Sequence, residues 1–209
     1  RAAGKLRSLE DALRLAPVEG RYGIGHTRWA THGRPTEENA HPHRDQTGDI
    51  VVVHNGIIEN YLILKEELEK EGHKFSTETD TEIIAHLIEK YSREDPTLET
   101  AVLKAIHRIQ GLFALATVSL RDPDKIVAAR SGPPAVVGLG ENEYFVASDI
   151  PAILHHTRDI FSLVDGDVAV LTPRGVRVIN FEGQPVNRPV QHILWDPVMA
   201  EKGGYKHFM

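Results

Sequence analysis

Apolar positions recur at helical spacing in the first stretch, at Leu6, Leu9 and Leu13, with Ser8 and Asp11 among them and Pro17 beyond. This predicts a short helix stopped by the proline. Residues 21–30 and 50–54 predict strands, the second being Ile50-Val51-Val52-Val53-His54. The polar stretch 31–48 between them predicts a loop, and loops of that length within a compact domain are often functional. Asn60 is placed to cap a helix running to Gly72, with Leu62 and Leu68 on one face and Glu66, Glu67, Glu69, Lys70 and Glu71 on the solvated one. Thr79-Asp80-Thr81-Glu82 reads as a capping box for a helix with the apolar stripe Ile83, Ile84, Leu87, Ile88 and Tyr91. A further helix starts at Thr97, buries Leu98, Val102, Ile106 and Ile109, and closes at Gly111.

The pattern then changes to period two. Strands are predicted at 112–120, 125–130, 135–139, 143–148, 158–164, 168–172 and 176–181, with turns at 121–124, 140–142, 165–166 and 174–175. The connections are too short for parallel crossovers, so the strands are antiparallel. Consecutive helices between blocks of antiparallel strands give an α+β class of layered sheets covered by helices. Ser131-Gly132-Pro133-Pro134 reads as a tight turn, and Ala147-Ser148-Asp149 as a strand end with Asp149 capping a short helix. From 182 onward, Pro185, Pro189 and Pro197 predict an extended tail or linker.

Composition narrows the classes. The 209 residues suit one large domain. With 24 basic against 30 acidic residues the net charge is −6, which disfavours a nucleic-acid or anionic-membrane surface. No apolar run approaches a membrane span. The chain has no cysteine, which excludes a disulfide framework and fits a reducing compartment, so a cytoplasmic protein is expected. It also lacks an initiating methionine, and Gly203–Met209 ends without a terminating pattern, so a piece of a longer protein is expected.

Candidate chemistry concentrates between 26 and 56, where His26, His32, His41, His43 and His54 fall among the twelve histidines of the chain. Arg28 in an apolar run is either one half of a structural ion pair or the fork that receives a ligand carboxylate, and Trp29, Thr31 and His32 beside it favour the ligand. Asn55-Gly56 is either a hairpin turn or an amide and an N–H converging on an oxyanion. Asp80 is either a plain helix cap or the partner of a substrate ammonium. His41-Pro42-His43 resembles an alternating metal site, for which His26, His32, His54 or Asp80 would supply a third ligand. No carboxylate follows at ligand spacing, however.

Taken together, His26–Gly33, Asn39–His43, His54–Asn60 and Glu78–Glu82 resemble the glutaminase half of the glutamine–fructose-6-phosphate aminotransferase (isomerizing) family, the class II amidotransferases with an N-terminal nucleophile. Ala129–Gly132 and Ala147–Asp149 add to the resemblance. It implies a four-layer N-terminal-nucleophile hydrolase fold, two antiparallel sheets between helical layers. It also implies a cysteine nucleophile whose own α-amino group relays protons. Arg28 would hold the glutamine α-carboxylate and Asp80 the α-ammonium. Asn55 and Gly56 would form the oxyanion hole, Thr31, His32 and His41 would line the substrate pocket, and Trp29 would gate an ammonia path.

The resemblance further implies a glutamine amidotransferase domain over 1–190 and, from 191–209, the start of a linker to a sugar-isomerase domain. That domain would aminate fructose 6-phosphate in a homodimeric parent, with no cofactor or metal. The family's opening strand and its cysteine are missing here, so truncation and an inactive fragment are expected. Two rival functions follow from the same residues: a metal-dependent hydrolase using His41 and His43, and a non-catalytic glutamine-sensing domain.

Overall fold

β-Branched residues dominate the run from Ile50 to Ile58. In the computed structural model, which describes residues 1–28, 33–34, 36–95 and 97–194, this run is one unbroken strand. In chain order the elements are α1 (Leu6–Leu15), β1 (His43–Arg44), β2 (Ile50–Ile58), α2 (Tyr61–Lys70), α3 (Thr81–Ser92), α4 (Leu98–Ile106), β3 (Gly111–Ser119), β4 (Ile126–Ser131), β5 (Val136–Leu139) and β6 (Tyr144–Ala147). A 3-10 turn (Ile150–Ala152) follows, then β7 (Asp159–Ser162), β8 (Asp167–Thr172), β9 (Gly175–Asn180), β10 (Pro185–Val186) and β11 (Gln191–His192). Every pairing is antiparallel, in a seven-stranded sheet ordered β1-β2-β3-β4-β8-β9-β10 and a four-stranded sheet ordered β11-β7-β5-β6.

Alternation along the strands sorts side chains into layers. Val127, Ala129, Val168 and Val170 face the helices, packing with Ile83, Ile84, Leu87 and Ile88 of α3 and with Ala101, Val102 and Ala105 of α4. The next residues along, Ala169 and Leu171, turn to the other side and meet Val137 and Phe161 of the smaller sheet. On that sheet Val136 and Ile160 face outward, where Ile153, Leu154 and Ile193 cover them. The four isoleucine and leucine side chains of α3 named above are at most 1% exposed. Each contributes roughly 1.5–3 kcal/mol by leaving water. Wedged between the large sheet and its neighbouring helices, α3 is buried from Thr81 through Glu89. No helix among the described residues is long and apolar enough to cross a membrane.

The two antiparallel sheets and the helices match the expected class, with local differences. The run expected as a strand at 21–30 joins neither sheet over its described part, 21–28. A strand is defined by a neighbour that takes its backbone hydrogen bonds, and none is present for it among the described residues. The expected strand 50–54 continues to Ile58 because β3 pairs with it residue for residue, from Ile50↔Ser119 to Ile58↔Gly111. Asn55-Gly56 therefore lies inside a strand, and the hairpin reading is wrong.

The capping box does not form either. α3 starts at Thr81, and the Glu82 carboxylate turns back to accept from the backbone N–H and hydroxyl groups of Ser76 and Thr77. Asn60 precedes α2 without capping it: its amide bridges Arg108 O and Gln110 N–H. α1 opens at Leu6, ahead of Ser8, and buries no residue. The tail is drawn into the sheets at Pro185–Val186 and Gln191–His192, and Arg188 forms a two-point ion pair with buried Asp167. Asp149 accepts from Ile150 N–H, as a cap of the short turn should.

Candidate functional site

Three pieces of chain distant in sequence meet at one end of β2. The strand brings His54, Asn55 and Gly56, the start of α3 brings Thr79, Asp80 and Thr81, and the segment His26-Thr27-Arg28 closes the third side with His41. They line a cavity of about 150 Å³, the scale of a small polar metabolite.

Gly56 is fixed by geometry. Its φ is +134°, and a Cβ placed there would lie 2.0 Å from the Leu112 carbonyl oxygen on β3. Only glycine lets the strand pass that close while keeping its pairing. Beside it, the Asn55 amide oxygen is 2.7 Å from His26 Nε2. With His26 as the N–H donor, the amide oxygen is occupied and the NH2 group is what Asn55 offers to the cavity. His54 reaches across to α3, its Nδ1 3.0 Å from the Thr81 hydroxyl.

Asp80 is buried at 3% exposure, and its Oδ2 accepts from Ile58 N–H at 2.8 Å, which locks the helix start to the strand end. It sits at the positive end of the α3 dipole, which favours a carboxylate. Arg28 donates to the carbonyls of Arg34 and Gly33, at 2.9 and 3.2 Å. Those residues are held in turn by Asn39 and Glu78, which exchange bonds: Glu78 N–H to Asn39 Oδ1 at 3.0 Å, and Asn39 Nδ2 to Glu78 Oε2 at 3.2 Å. The cavity thus has a cation and an anion on its wall.

Two imidazoles on its wall, His41 and His54, are neutral at pH 7. Burial, then the neighbouring His26, His43, His54 and Arg28, pushes His41 down to about 2. Burial lowers His43 to about 4, helped by Arg1. His54 also falls to about 4, again through burial, which outweighs the opposing pull of Asp80. The His26 and His41 rings lie 4.1 Å apart at a tilt of 35°, and His26 Nδ1, His41 Nδ1 and His54 Nε2 are buried with no hydrogen-bond partner within the protein.

Of the residues singled out from sequence, Arg28, His41, Asn55, Gly56 and Asp80 line this one cavity. Trp29, Thr31 and His32 lie outside the described residues. His43 sits on β1 against the Thr79 hydroxyl at 3.2 Å, not on the cavity wall. Among the described residues, the group with metal-ligand spacing is His73, His86 and Glu89, and neither His41 nor His43 belongs to it. Sequence reasoning missed the part His26 plays in orienting Asn55. No local pattern announces a bond between positions 29 apart.

A family model described as a glutamine amidotransferase domain matches residues 26–155. Over 206 residues the chain is 57% identical to the glutamine–fructose-6-phosphate aminotransferase (isomerizing) of Aquifex aeolicus, covering 99% of this chain and 34% of that protein. The protein of the same name from Methanothermobacter thermautotrophicus is 55% identical over 207 residues, covering 99% and 35% respectively. The chain therefore spans about a third of the length of the curated relatives it matches. Among solved structures, the glutamine phosphoribosylpyrophosphate amidotransferase of B. subtilis superposes with a TM-score of 0.62 at 26% identity, over 75% of this chain and 34% of that one. A structure described as the allosteric regulatory enzyme of purine biosynthesis gives 0.64 at 27%, with the same coverage.

Proposed function

The chain belongs to the glutamine amidotransferase domain family, and on that premise we propose that the cavity beside β2 recognises glutamine and stabilises the intermediate of its side-chain amide cleavage. Arg28 holds the α-carboxylate, its planar fork matching two oxygens. Asp80 takes the α-ammonium. A thiolate adds to the amide carbon, and the carbonyl oxygen becomes an oxyanion that accepts from the Asn55 NH2 and the Gly56 N–H. Collapse expels ammonia, the proton being supplied by the α-amino group of the nucleophilic residue. Water then releases glutamate from the thioester.

Residues 1–209 contain no cysteine. In this reading they supply recognition and the oxyanion hole, the thiol comes from elsewhere in the full-length protein, and this chain alone does not turn over glutamine. His41 forms part of the pocket wall, Thr31 and His32 line the substrate loop, and Trp29 gates the ammonia path. The amidotransferase domain, expected over 1–190, extends through β11 and Ile193 in this reading, and the linker to a sugar-isomerase domain begins beyond it. There the ammonia converts fructose 6-phosphate to glucosamine 6-phosphate in a cytoplasmic homodimer. The support for that parent activity is the name carried by the relatives at 57% and 55% identity.

The observation that carries the reading is one small cavity lined by a guanidinium, a carboxylate and an asparagine–glycine pair, a match to the two charges and one reacting carbonyl of a single amino acid. The test is kinetic, in the full-length protein. Asn55→Ala lowers glutaminase kcat by roughly 10²–10³-fold with little change in glutamine binding, because the oxyanion exists only in the transition state. Arg28→Ala weakens glutamine binding instead. Identical kinetic signatures for the two variants would refute the assigned roles.

A further inference from the structure

Further along α3 from the cavity lies a second group of polar side chains that glutamine chemistry does not use. His86 and Glu89 project from one face of α3, and His73 comes from the loop after α2. Their side chains are nearly inaccessible, at 3% for His73 and 0% for Glu89 and His86. His73 Nδ1 lies 3.1 Å from His86 Nδ1 and 3.3 Å from Glu89 Oε2.

Protons alone satisfy this group poorly. A neutral imidazole carries one N–H. If His73 donates from Nδ1, one proton is divided between His86 Nδ1 and Glu89 Oε2, and the His86 N–H is on Nε2. If His86 donates from Nδ1, the lone pair of His73 Nδ1 faces the Glu89 carboxylate. Neither arrangement gives Glu89 Oε2 a donor of its own, and both Glu89 Oε2 and His86 Nε2 are buried without a hydrogen-bond partner. An unsatisfied buried polar atom costs about 1–3 kcal/mol.

A cation would give both Nδ1 lone pairs and Glu89 Oε2 a shared partner. Zinc bound to imidazole nitrogen and carboxylate oxygen at about 2.0–2.1 Å in tetrahedral geometry separates its ligand atoms by roughly 3.3–3.4 Å. Two of the edges here measure 3.1 and 3.3 Å, and the ligand atoms of the three residues all lie within 4.8 Å of one another. With both Nδ1 lone pairs on the metal, the His86 proton must sit on Nε2, which points to Glu82 Oε1 at 3.7 Å. At that distance Glu82 faces the ring as a nearby charge and makes no hydrogen bond to it. The other Glu89 oxygen is already held by Arg93 Nε at 2.8 Å, which leaves Oε2 as the ligand atom.

We propose that His73, His86 and Glu89 form a buried structural site for one divalent transition-metal ion, zinc by the chemistry of its donors, which fastens the loop after α2 to α3. Because α3 begins with Asp80 and Thr81, the ion would brace the helix that carries one wall of the cavity. It takes no part in amide cleavage.

The chain, purified without chelator, is analysed for bound metal, then stripped and reloaded with zinc or with cobalt(II). The expected result is one equivalent of zinc per chain, visible ligand-field bands of tetrahedral cobalt, and a Tm that falls on stripping and returns with zinc. His73→Ala, in a loop where folding is least at risk, loses the equivalent and the zinc-dependent part of Tm, as does Glu89→Gln. Should both variants fail to fold, the cobalt spectrum and metal content of the unaltered chain still decide. No bound metal together with a zinc-independent Tm would overturn the proposal. So would an equivalent of metal kept by a folded His73→Ala variant, which would mark adsorption to other histidines.

Discussion

Replacing Gly56 with alanine tests whether β2 passes β3 as closely as described. Two costs are separable. The first is conformational: a non-glycine residue at φ +134° is strained by roughly 1–3 kcal/mol. The second is steric: the new methyl would sit 2.0 Å from the Leu112 carbonyl oxygen and 2.8 Å from its carbon. These are backbone atoms fixed by the pairings Gly56↔Phe113 and Ile57↔Leu112, so relief requires opening the ladder. Losing one or two of its hydrogen bonds costs about 1 kcal/mol each, before counting the apolar contacts of Ile57 and Ile58. The total is about 2–5 kcal/mol, its upper end in the range reserved for a named structural failure.

Gly72→Ala is the control, because Gly72 also has a positive φ, +95°, but nothing within 4 Å of its Cβ position. Equilibrium urea unfolding of the chain, followed by far-ultraviolet circular dichroism, gives both values. Gly56→Ala should lose roughly 1–2 kcal/mol more than Gly72→Ala, the steric part alone. Equal losses would show that the close approach of β2 to β3 is wrong, and with it the position of Asn55.

Two further outcomes follow from the site. His43 and His54 are both lowered to about 4 from 6.5, so between those values the unfolded chain binds protons that the folded chain refuses. Stability therefore falls as pH drops from 6.5 toward 4, by up to about 1.4 kcal/mol per histidine per pH unit, and urea midpoints at pH 7 and 5 check the sign. Glu82, where burial is overridden by its hydrogen bonds, is held at about 2, so its contribution is intact above 4.5 and does not mask the effect. An ammonia-release assay on this chain with glutamine should show no useful turnover, since amide cleavage needs a nucleophile and residues 1–209 offer no thiol. Turnover abolished by changing a residue within the chain would refute that.

Much of the second half was legible because three of its pairings, β3–β4, β5–β6 and β8–β9, are local hairpins that alternation and turn residues announce, whereas the β4–β8 and β5–β7 pairings join strands far apart in sequence and leave no local sign. Helix starts were less so. Asp80, Glu82 and Asn60 carry capping chemistry, yet their side chains bond Ile58, the 76–77 loop and the 108–110 turn, and such tertiary partners leave no local trace. The 21–28 run has strand composition but no ladder partner among the described residues, and composition cannot supply one. At the site, the residue types were readable from their chemistry. What sequence could not supply was their convergence, which depends on β2 and α3 meeting through Asp80, or the bond from His26 that orients Asn55, which depends on the 21–28 segment lying against β2.

The measurement closest to the central claim is a glutamine titration of this chain, followed by heat and by amide and side-chain NMR signals. The account predicts saturable binding of L-glutamine in which the Arg28 side-chain, Asn55 NH2 and Gly56 N–H signals move together. It also predicts that binding is lost in Arg28→Ala but retained in Asn55→Ala. Absence of binding, or binding that shifts none of these signals and survives Arg28→Ala, would contradict it.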